Sequence, residues 1–348
     1  MHATTVAVDL AKSVFHISVA NDRGRILQRR SLTRAQFARF VCDQPKSEFV
    51  LEACATAHHW GRQMLAHGHS VSVLPAQYVR PFVLRTKTHR HDADALIQAH
   101  RSGEIPTVGV KSCEQQAAAA LHTVRAAKMK TRTARINLLR GILAEQGFAI
   151  SQGAKVGLSQ MAKLLHDDEA EIPRRLRVCG LSVLREIADL EHSIAELEVE
   201  LKQLGREELG QLLQSVPGIG VLTATATLAS VASIHSFRRG RRVASWMGLT
   251  PREHSTGGKQ RLGRITKHGD AYLRCLFTHG ARAALLAAKR KQRAGGALTR
   301  LQAWALDVEA RRGHNKATIA LANKMARIVW AVWTTGRSYE ASPQPSTR

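Results

Sequence analysis

The segment from Pro251 to Arg274 combines a hydroxyl, two adjacent glycines and a group of basic side chains. It reads PREHSTGGKQRLGRITKHGDAYLR, with Ser255 and Thr256 directly before the Gly257-Gly258 pair. Adjacent glycines let backbone N–H groups approach an anion closely. A hydroxyl held there could bind a phosphate or attack it, and the alternative is a solvated basic surface loop. The candidate phosphate-binding side chains of the segment are Arg252, Lys259, Arg261, Arg264, Lys267 and Arg274.

Two carboxylates end apolar stretches that have the pattern of buried strands. Asp9 ends VAVD, and Glu52 ends FVLE. With an acid from a following helix, they would supply the oxygen ligands that Mg²⁺ prefers, and two such ions about 4 Å apart can clamp a phosphodiester. Asp92 is the helix candidate because it shares a helix face with His89, and Asp94 is its competitor. Each acid taken alone could equally be a helix cap or a surface ion-pair partner.

These residues belong to a strongly basic chain of 348 residues, long enough for two domains. Its 52 Lys and Arg against 27 Asp and Glu give a net charge of +25, while 44% hydrophobic residues support folded cores. Such a charge indicates a polyanionic partner, with nucleic acid as the first candidate and an anionic membrane as the second. The membrane alternative is disfavoured, because we find no apolar run long enough to span a bilayer and expect no signal peptide.

The cysteines are scattered without a C-x-x-C pair, which disfavours a zinc ribbon and a disulfide framework. This usage fits a reducing compartment, so we expect a cytoplasmic protein. The cysteines are Cys42, Cys54, Cys113, Cys179 and Cys275.

The first 110 residues alternate short β-branched stretches with helical patterns. Three strands, a helix, a strand, a helix and a strand is the order of a ribonuclease-H-like α/β domain, which we predict for residues 1–110. The predicted strands are Thr4–Leu10, Val14–Ala20, Arg25–Arg30, Ser47–Ala53 and Ser70–Leu74, and the predicted helices are Thr33–Cys42, His58–His67 and Asp92–Arg101.

Residues 111–207 are predicted to form a helical linker. A long helix at Gln115–Glu145 carries basic residues, of which Arg125, Lys128 and Arg132 are candidate nucleic-acid contacts. A later helix, ended by Gly205, has apolar residues at alternating spacings of four and three, the a/d seam of a coiled coil. The alternatives are an intermolecular coiled coil and a helix packed within its own domain. The seam is Val183, Ile187, Leu190, Ile194, Leu197, Leu201 and Leu204.

Residues 208–338 are predicted to form a mainly helical C-terminal domain. The sequence SVPGIG at 215–220, before an apolar helix at Leu222–Val231, resembles half of a helix-hairpin-helix element. Gly218 and Gly220 would then offer backbone amides to a phosphate, although an ordinary turn has the same pattern. A last helix at Asn315–Trp333 precedes a Ser/Pro-rich tail at 339–348, which we predict to be disordered.

Together, these segments resemble the DEDD-type insertion-sequence transposases of the IS110 family, and most closely its IS1111 subgroup. The resemblance covers nearly the whole chain. It rests on VAVDLAKS at 6–13, LEACATAHHWGRQMLAHGH at 51–69, LRTKTHRHDADA at 84–95, the stretch from VPGIG at 216 to DAYLR at 274, and LANKMARIVWAV at 321–332.

The resemblance implies a RuvC-like N-terminal domain, a coiled-coil linker and a C-terminal transposase domain. It implies a recombinase of DNA (element ends and target) guided by a structured RNA, working as a dimer or tetramer that brings the two kinds of domain together across protomers. The site would combine Mg²⁺-binding acids with a serine that becomes linked to a DNA phosphate. Asp9 matches the first acid, Glu52 the second and Asp92 the fourth, and Ser255 matches the serine of the S-x-G-G-K segment.

The chain departs from the family pattern at the third acid, where His89 stands in place of an aspartate. Imidazole is a poor Mg²⁺ ligand. Either Asp94 or a water substitutes, or His89 favours Mn²⁺, or this copy is inactive. A second open choice is between Ser255 and Thr256, and the less hindered primary hydroxyl of Ser255 is favoured.

Two alternative functions follow from these choices. In a metal-only resolvase or nuclease, Ser255 would bind phosphate without forming a bond to it. In a decayed copy, the chain would bind nucleic acid without catalysis.

Overall fold

A computed structural model describes residues 4–83 and 89–342, without the side chains of residues 89–91. The chain divides into two compact units. The first comprises Met1–Gln116 and Ala229–Arg238, and the second comprises Ala117–Leu228 and Arg239–Arg348.

The first unit is built on a mixed five-stranded sheet in the order β3-β2-β1-β4-β5. β1 pairs antiparallel with β2, and β2 antiparallel with β3, whereas β1–β4 and β4–β5 are parallel pairs. The structure confirms the predicted order of three strands, a helix, a strand, a helix and a strand. Its elements are β1 (Thr5–Asp9), β2 (Val14–Ala20), β3 (Ile26–Thr33), α1 (Arg34–Asp43), β4 (Glu48–Glu52), α2 (Ala57–Ala66), β5 (Ser70–Leu74), the short α3 (Ala76–Val79) and α4 (His89–Arg101).

Helices cover both faces of this sheet. Since successive strand residues point to opposite faces, Val8 of β1 packs in one core with Phe37 of α1 and Trp60 of α2. Ala7 packs on the other face, in a core that contains Leu96 of α4. The alternation explains why the central strands are apolar at every interior position, as expected for strands buried on both faces.

From Cys113 onward the described chain is mainly helical, with one two-stranded hairpin. The structure confirms the long helix predicted at Gln115–Glu145. Its elements are α5 (Cys113–Ala144), α6 (Ala154–His166), α7 (Arg174–Arg206), α8 (Glu208–Gln214), α9 (Val221–Ser230), α10 (Gly240–Trp246), β6 (Pro251–Glu253), β7 (Leu262–Ile265), α11 (Ala271–Arg293), α12 (Arg300–Arg312) and α13 (His314–Thr335).

Helix α7 packs against α5 of the same chain, in antiparallel orientation. Ion pairs join Arg125 to Glu198 at 2.6 Å and Arg135 to Glu186 at 2.7 Å, and a further pair joins Arg132 to Glu191. On the predicted seam, Ile187, Ile194 and Leu201 are buried within this single chain. The intermolecular coiled coil therefore stays a prediction, and burying these residues does not require it.

The end predicted for α7 at Gly205 is wrong, because the helix continues to Arg206 and Gly205 is buried inside it. A Cβ on Gly205 would lie 2.9 Å from a methyl carbon of Val221. Gly205 therefore serves the close approach of another segment and does not terminate the helix.

Two residues of the tail predicted to be disordered, Tyr339 and Ser342, form backbone hydrogen bonds. The backbone N–H of Tyr339 donates to the hydroxyl of Ser215, and that of Arg300 donates to the carbonyl of Ser342. The remainder of the tail predicted to be disordered, residues 343–348, lies outside the described residues. No helix among the described residues is both long and apolar enough to cross a membrane.

Candidate catalytic residues of the two units

Asp9 and Glu52 lie at the same edge of the sheet in the first unit. Asp9 is the last residue of β1 and Glu52 the last of β4, and these parallel strands pair in register up to Val8 and Leu51. The two half-buried acids are therefore neighbours where the strands end. Burial, followed by the negative charges of Glu52 and Asp9, raises the pKa of the Cys54 thiol. The charges of both carboxylates therefore reach the Cys54 thiol, which follows the end of β4.

The other two candidate acids, Asp92 and Asp94, lie on helix α4, which packs on the face of the sheet that contains Ala7. Asp92 lies in its first turn and is half-buried. Asp94 is held by protein partners: its Oδ1 accepts a hydrogen bond of 2.7 Å from Ser18, and its Oδ2 accepts one of 2.9 Å from Nη2 of Arg29. The side chain of His89 lies outside the described residues, so its predicted role beside Asp92 stays a prediction.

The pair of strand-end acids fits a hard divalent cation by its chemistry, because carboxylate oxygens are the ligands that Mg²⁺ and Mn²⁺ accept readily. In the described part of the chain, no group of three His, Cys, Asp or Glu side chains could hold a metal ion. A complete ligand set would need further oxygens from Asp92, water or a nucleic-acid phosphate.

Ser255 lies on an exposed β-hairpin of the second unit, which the sequence reading did not predict. Thr256 and Lys259 pair across a turn formed by Gly257 and Gly258, whose φ angles are +56° and +75°. Positive φ at both central residues is the requirement of the two-residue hairpin turns that match strand twist. The two glycines therefore serve the turn, and their predicted contact with a phosphate stays a prediction.

The Ser255 hydroxyl has two hydrogen-bond partners within the hairpin. It donates to Oε1 of Glu253 at 2.6 Å, and its oxygen accepts from the backbone N–H of Arg261 at 3.1 Å. Glu253 is a candidate that the sequence reading missed. The signal was available, because residues i and i+2 of an extended strand share a face.

Several of the predicted basic ligands lie on the opposite face of the hairpin from Ser255. The N–H of His254 donates to the carbonyl of Arg261, so these two residues are paired and share a face. A Cβ on Gly263 would lie 3.8 Å from Cβ of Arg252 and 3.8 Å from a ring carbon of His254, which places Arg252 on that face too. The hairpin thus has a basic face and a face that carries Ser255 and Glu253.

The base of the hairpin is fixed by backbone contacts. A Cβ on Gly269 would lie 1.8 Å from the carbonyl oxygen of Trp246, so the chain can pass there only with glycine. Arg274 donates from Nη1 to the carbonyl of Met247 at 3.0 Å, and Lys267 adopts a left-handed φ of +58° with its N–H bonded to Gly248. Arg274 and Lys267 therefore help to build the hairpin, whereas Lys259 and Arg264 are exposed along it.

The other predicted nucleic-acid contacts have distinct environments. A Cβ on Gly218 would lie 2.6 Å from the carbonyl oxygen of Gly280, whereas Gly220 is exposed with open space before α9. On α5, Arg125 and Arg132 are bonded to glutamates of α7, and Lys128 is half-buried. Gly220 is thus the exposed member of this group, and the predicted contacts of all five residues with nucleic acid stay predictions.

Comparisons with known proteins place the chain in the class of the transposases. A family model described as "Transposase IS116/IS110/IS902 family" matches residues 210–295, which include the whole Ser255 hairpin. The chain is 37% identical to a probable family 20 transposase of Pseudomonas aeruginosa, over 97% of this chain and 99% of that protein.

Two further relatives carry the names of insertion sequences. The chain is 36% identical to the transposase for insertion sequence element IS1111A of Coxiella burnetii, over 96% of this chain and 90% of that protein. It is 33% identical to the transposase for insertion sequence element IS1328 of Yersinia enterocolitica, over 96% of this chain and 98% of that protein. The chain therefore belongs to the IS116/IS110/IS902 family of transposases, which confirms the resemblance predicted from its motifs.

Proposed function

We propose that this transposase cuts and rejoins DNA through a covalent bond between Ser255 and a DNA phosphate, assisted by Mg²⁺ at Asp9, Glu52 and Asp92. The observation that carries the proposal is the position of Ser255. Its hydroxyl lies on an exposed, basic hairpin, oriented by hydrogen bonds at 2.6 Å and 3.1 Å, inside the segment that matches the family model.

A serine nucleophile suits a reaction that must rejoin strands. Attack of Ser255 Oγ on phosphorus forms a phosphoserine bond while the bond to one DNA oxygen breaks. A hydroxyl of another strand then attacks the same phosphorus and releases the serine. The free energy of the phosphodiester bond is retained in the covalent intermediate. Arg264 is exposed on the same hairpin and is available to neutralise phosphate charge. Lys259 pairs with Thr256 and therefore shares the opposite face with Arg261.

The strand-end acids would hold the cation together with oxygens of water or of a DNA phosphate, and Asp92 is the further candidate ligand on α4. When bound, Mg²⁺ would neutralise charge on a DNA phosphate. Asp94 is the weaker candidate because Ser18 and Arg29 already occupy its oxygens. The mixed sheet with acids at neighbouring strand ends supports a RuvC-like assignment of the first unit.

Two further partners belong to the proposal, a guide RNA and a second copy of the chain. A structured guide RNA is proposed from the family resemblance, and a net charge of +25 suits RNA as well as DNA. A homo-oligomer, dimer or tetramer, would use the half-buried seam positions of α7, among them Leu190 and Leu197, in an intermolecular coiled coil.

The test is the protein–DNA adduct formed with end-labelled element DNA and Mg²⁺, resolved under denaturing conditions. Ser255→Ala should abolish the adduct and Thr256→Ala should retain it. A metal-only resolvase would still cleave DNA with Ser255→Ala and would show no adduct in the wild type. A decayed copy would bind DNA without cleaving it, and His89→Asp would then restore excision.

A further inference from the structure

We propose that Glu253 is the proton acceptor for the Ser255 nucleophile, an assignment that rests on the function proposed above for Ser255. The distance of 2.6 Å between Ser255 Oγ and Glu253 Oε1 is that of a charge-assisted hydrogen bond from a hydroxyl to a carboxylate. A base within hydrogen-bond reach of the proton it removes is the geometric requirement of general base catalysis.

The two hydrogen bonds of the Ser255 hydroxyl leave one of its lone pairs available to attack phosphorus. A serine hydroxyl has one proton and two acceptor lone pairs. The proton is donated to Glu253, and one lone pair receives the N–H of Arg261. The second lone pair is directed elsewhere and can meet a phosphorus atom. The Arg261 N–H also stabilises the negative charge that develops on Oγ as the proton leaves.

The hairpin holds this geometry through its backbone. Glu253 pairs with Leu262 across the strands, and the Gly257-Gly258 turn sets the register that brings the N–H of Arg261 to Ser255. Within the described part of the second unit, no basic side chain forms an ion pair with Glu253. Its carboxylate therefore serves the hydroxyl, while the arginine side chains at 252 and 261 lie on the other face.

His254 is the other candidate base, and the pleat of the strand argues against it. It is adjacent to Ser255 in sequence, so its side chain points to the opposite face. Its ring approaches Gly263 on that face, since a Cβ on Gly263 would lie 3.8 Å from it. The hairpin thus presents a carboxylate, and not an imidazole, to the hydroxyl.

Glu253 holds the proton of the Ser255 hydroxyl for as long as the covalent intermediate lasts. As the bond from Ser255 Oγ to phosphorus forms, the Oγ proton passes to Oε1 of Glu253, and the bond from phosphorus to the leaving DNA oxygen breaks. That oxygen takes a proton from solvent. In rejoining, a DNA hydroxyl attacks phosphorus and loses its proton to solvent, while the departing Oγ recovers the proton held by Glu253.

The experiment compares Glu253→Gln, Glu253→Ala and the control Glu200→Gln, an exposed glutamate of α7, in the full-length protein. Glu253→Gln keeps an acceptor for the hydroxyl but cannot take its proton. We expect it to slow adduct formation by about 10²–10⁴-fold, the usual contribution of a general base, with unchanged DNA binding and unfolding midpoint. Added formate should restore adduct formation to Glu253→Ala and not to Glu253→Gln, which a purely structural role would not produce.

Adduct formation by Glu253→Gln at the wild-type rate would overturn the proposal, because an amide cannot accept the proton. Ser255→Ala separates this failure from that of the proposed function. If Ser255→Ala abolishes the adduct while Glu253→Gln retains it, only the role of Glu253 is wrong. If Ser255→Ala retains the adduct, the nucleophile itself is wrong.

Discussion

The carboxylate of Asp94 is bound by the guanidinium of Arg29, with Nη2 of Arg29 2.9 Å from Oδ2 of Asp94. This contact joins α4 to β3, and Ser18 of β2 donates to the same carboxylate. Asp92 lies two residues earlier on the same helix. The ion pair with Arg29 therefore gives Asp94 a structural role and leaves Asp92 as the candidate metal ligand of α4.

Exchange of each acid for its amide should separate these two roles. Asp94→Asn should lower the free energy of unfolding by about 1–2 kcal/mol, because charged hydrogen bonds are lost, and should keep the stabilisation produced by Mg²⁺. Asp92→Asn should have little effect without metal and should reduce the Mg²⁺-dependent stabilisation. Urea unfolding with and without Mg²⁺ measures both effects. The opposite pattern would assign the metal to Asp94.

Replacement of Gly280 by alanine should destabilise the second unit. A Cβ on Gly280 would lie 2.1 Å from the carbonyl oxygen of Gly218, so the backbones would have to separate. We expect Gly280→Ala to lower the free energy of unfolding by about 1–3 kcal/mol, the usual effect of overpacking. Gly220→Ala is the matched control, because a Cβ there meets open space. Equal urea midpoints for the two variants would contradict the contact.

Gly257 and Gly258 should stabilise the hairpin because they adopt positive φ, and not because a larger side chain would clash. A Cβ on Gly257 or Gly258 meets nothing within 4 Å, yet both residues have positive φ. Alanine at Gly258 should cost about 1–2 kcal/mol of hairpin stability. Adduct formation should then fall by about tenfold. Asparagine, which tolerates this conformation, should be milder. Gly263→Ala, in the same hairpin at ordinary contact distance, should resemble the wild type, and an equal loss there would refute the explanation.

The buried His122 should make stability depend on pH. The Thr225 hydroxyl donates to the carbonyl of Val221 and so accepts from Nε2 of His122 at 3.0 Å, which leaves Nδ1 to accept from the Tyr272 hydroxyl at 3.1 Å. His122 is therefore neutral. Burial, followed by the positive charge of Arg125, lowers its pKa from 6.5 to about 4.

Since the folded-state pKa of His122 is below the unfolded value, the unfolded chain binds more protons between these values. The stability that the neutral imidazole contributes is present above 6.5 and is lost as the pH falls toward 4. We expect a loss of about 2 kcal/mol between about pH 7 and pH 5. Urea unfolding of the wild type and of His122→Gln should show a smaller pH dependence for the variant, and parallel curves would rule out this assignment.

Substitution of an arginine of α5 should affect stability, whereas substitution of its exposed Lys130 should affect only DNA binding. Arg125→Gln removes the ion pair with Glu198 and should lower the free energy of unfolding by about 1 kcal/mol, while the salt dependence of DNA binding stays unchanged. Lys130→Gln, at an exposed position of the same helix, should leave stability unchanged. If Lys130 contacts a phosphate, its loss should reduce the salt slope by about 1. Titrations with a labelled duplex at several salt concentrations decide between these outcomes.

Local patterns predicted much of the fold. Apolar β-branched stretches located β1, β2, β4 and β5, because strands buried on both faces need apolar side chains throughout. The alanine- and leucine-rich pattern located α5 within a few residues of its ends. The seam of α7 predicted a helix with a packed stripe but not its partner, because an a/d pattern describes a surface and not what covers it. In the structure Ile187 of the seam packs in one core with Leu139 of α5 and Met161 of α6, so both helices cover it.

By itself, the sequence determined the family, the alternation of strands and helices, and the candidate residues Asp9, Glu52, Asp92 and Ser255. These follow from residue type and spacing along the chain, which local propensity and motif comparison can read. The tertiary structure alone decided which groups meet across the chain. It placed Asp94 on Arg29, the N–H of Arg261 on the Ser255 hydroxyl and Gly218 against Gly280. Strand register, turn geometry and close backbone approach bring together residues that are not neighbours in the sequence.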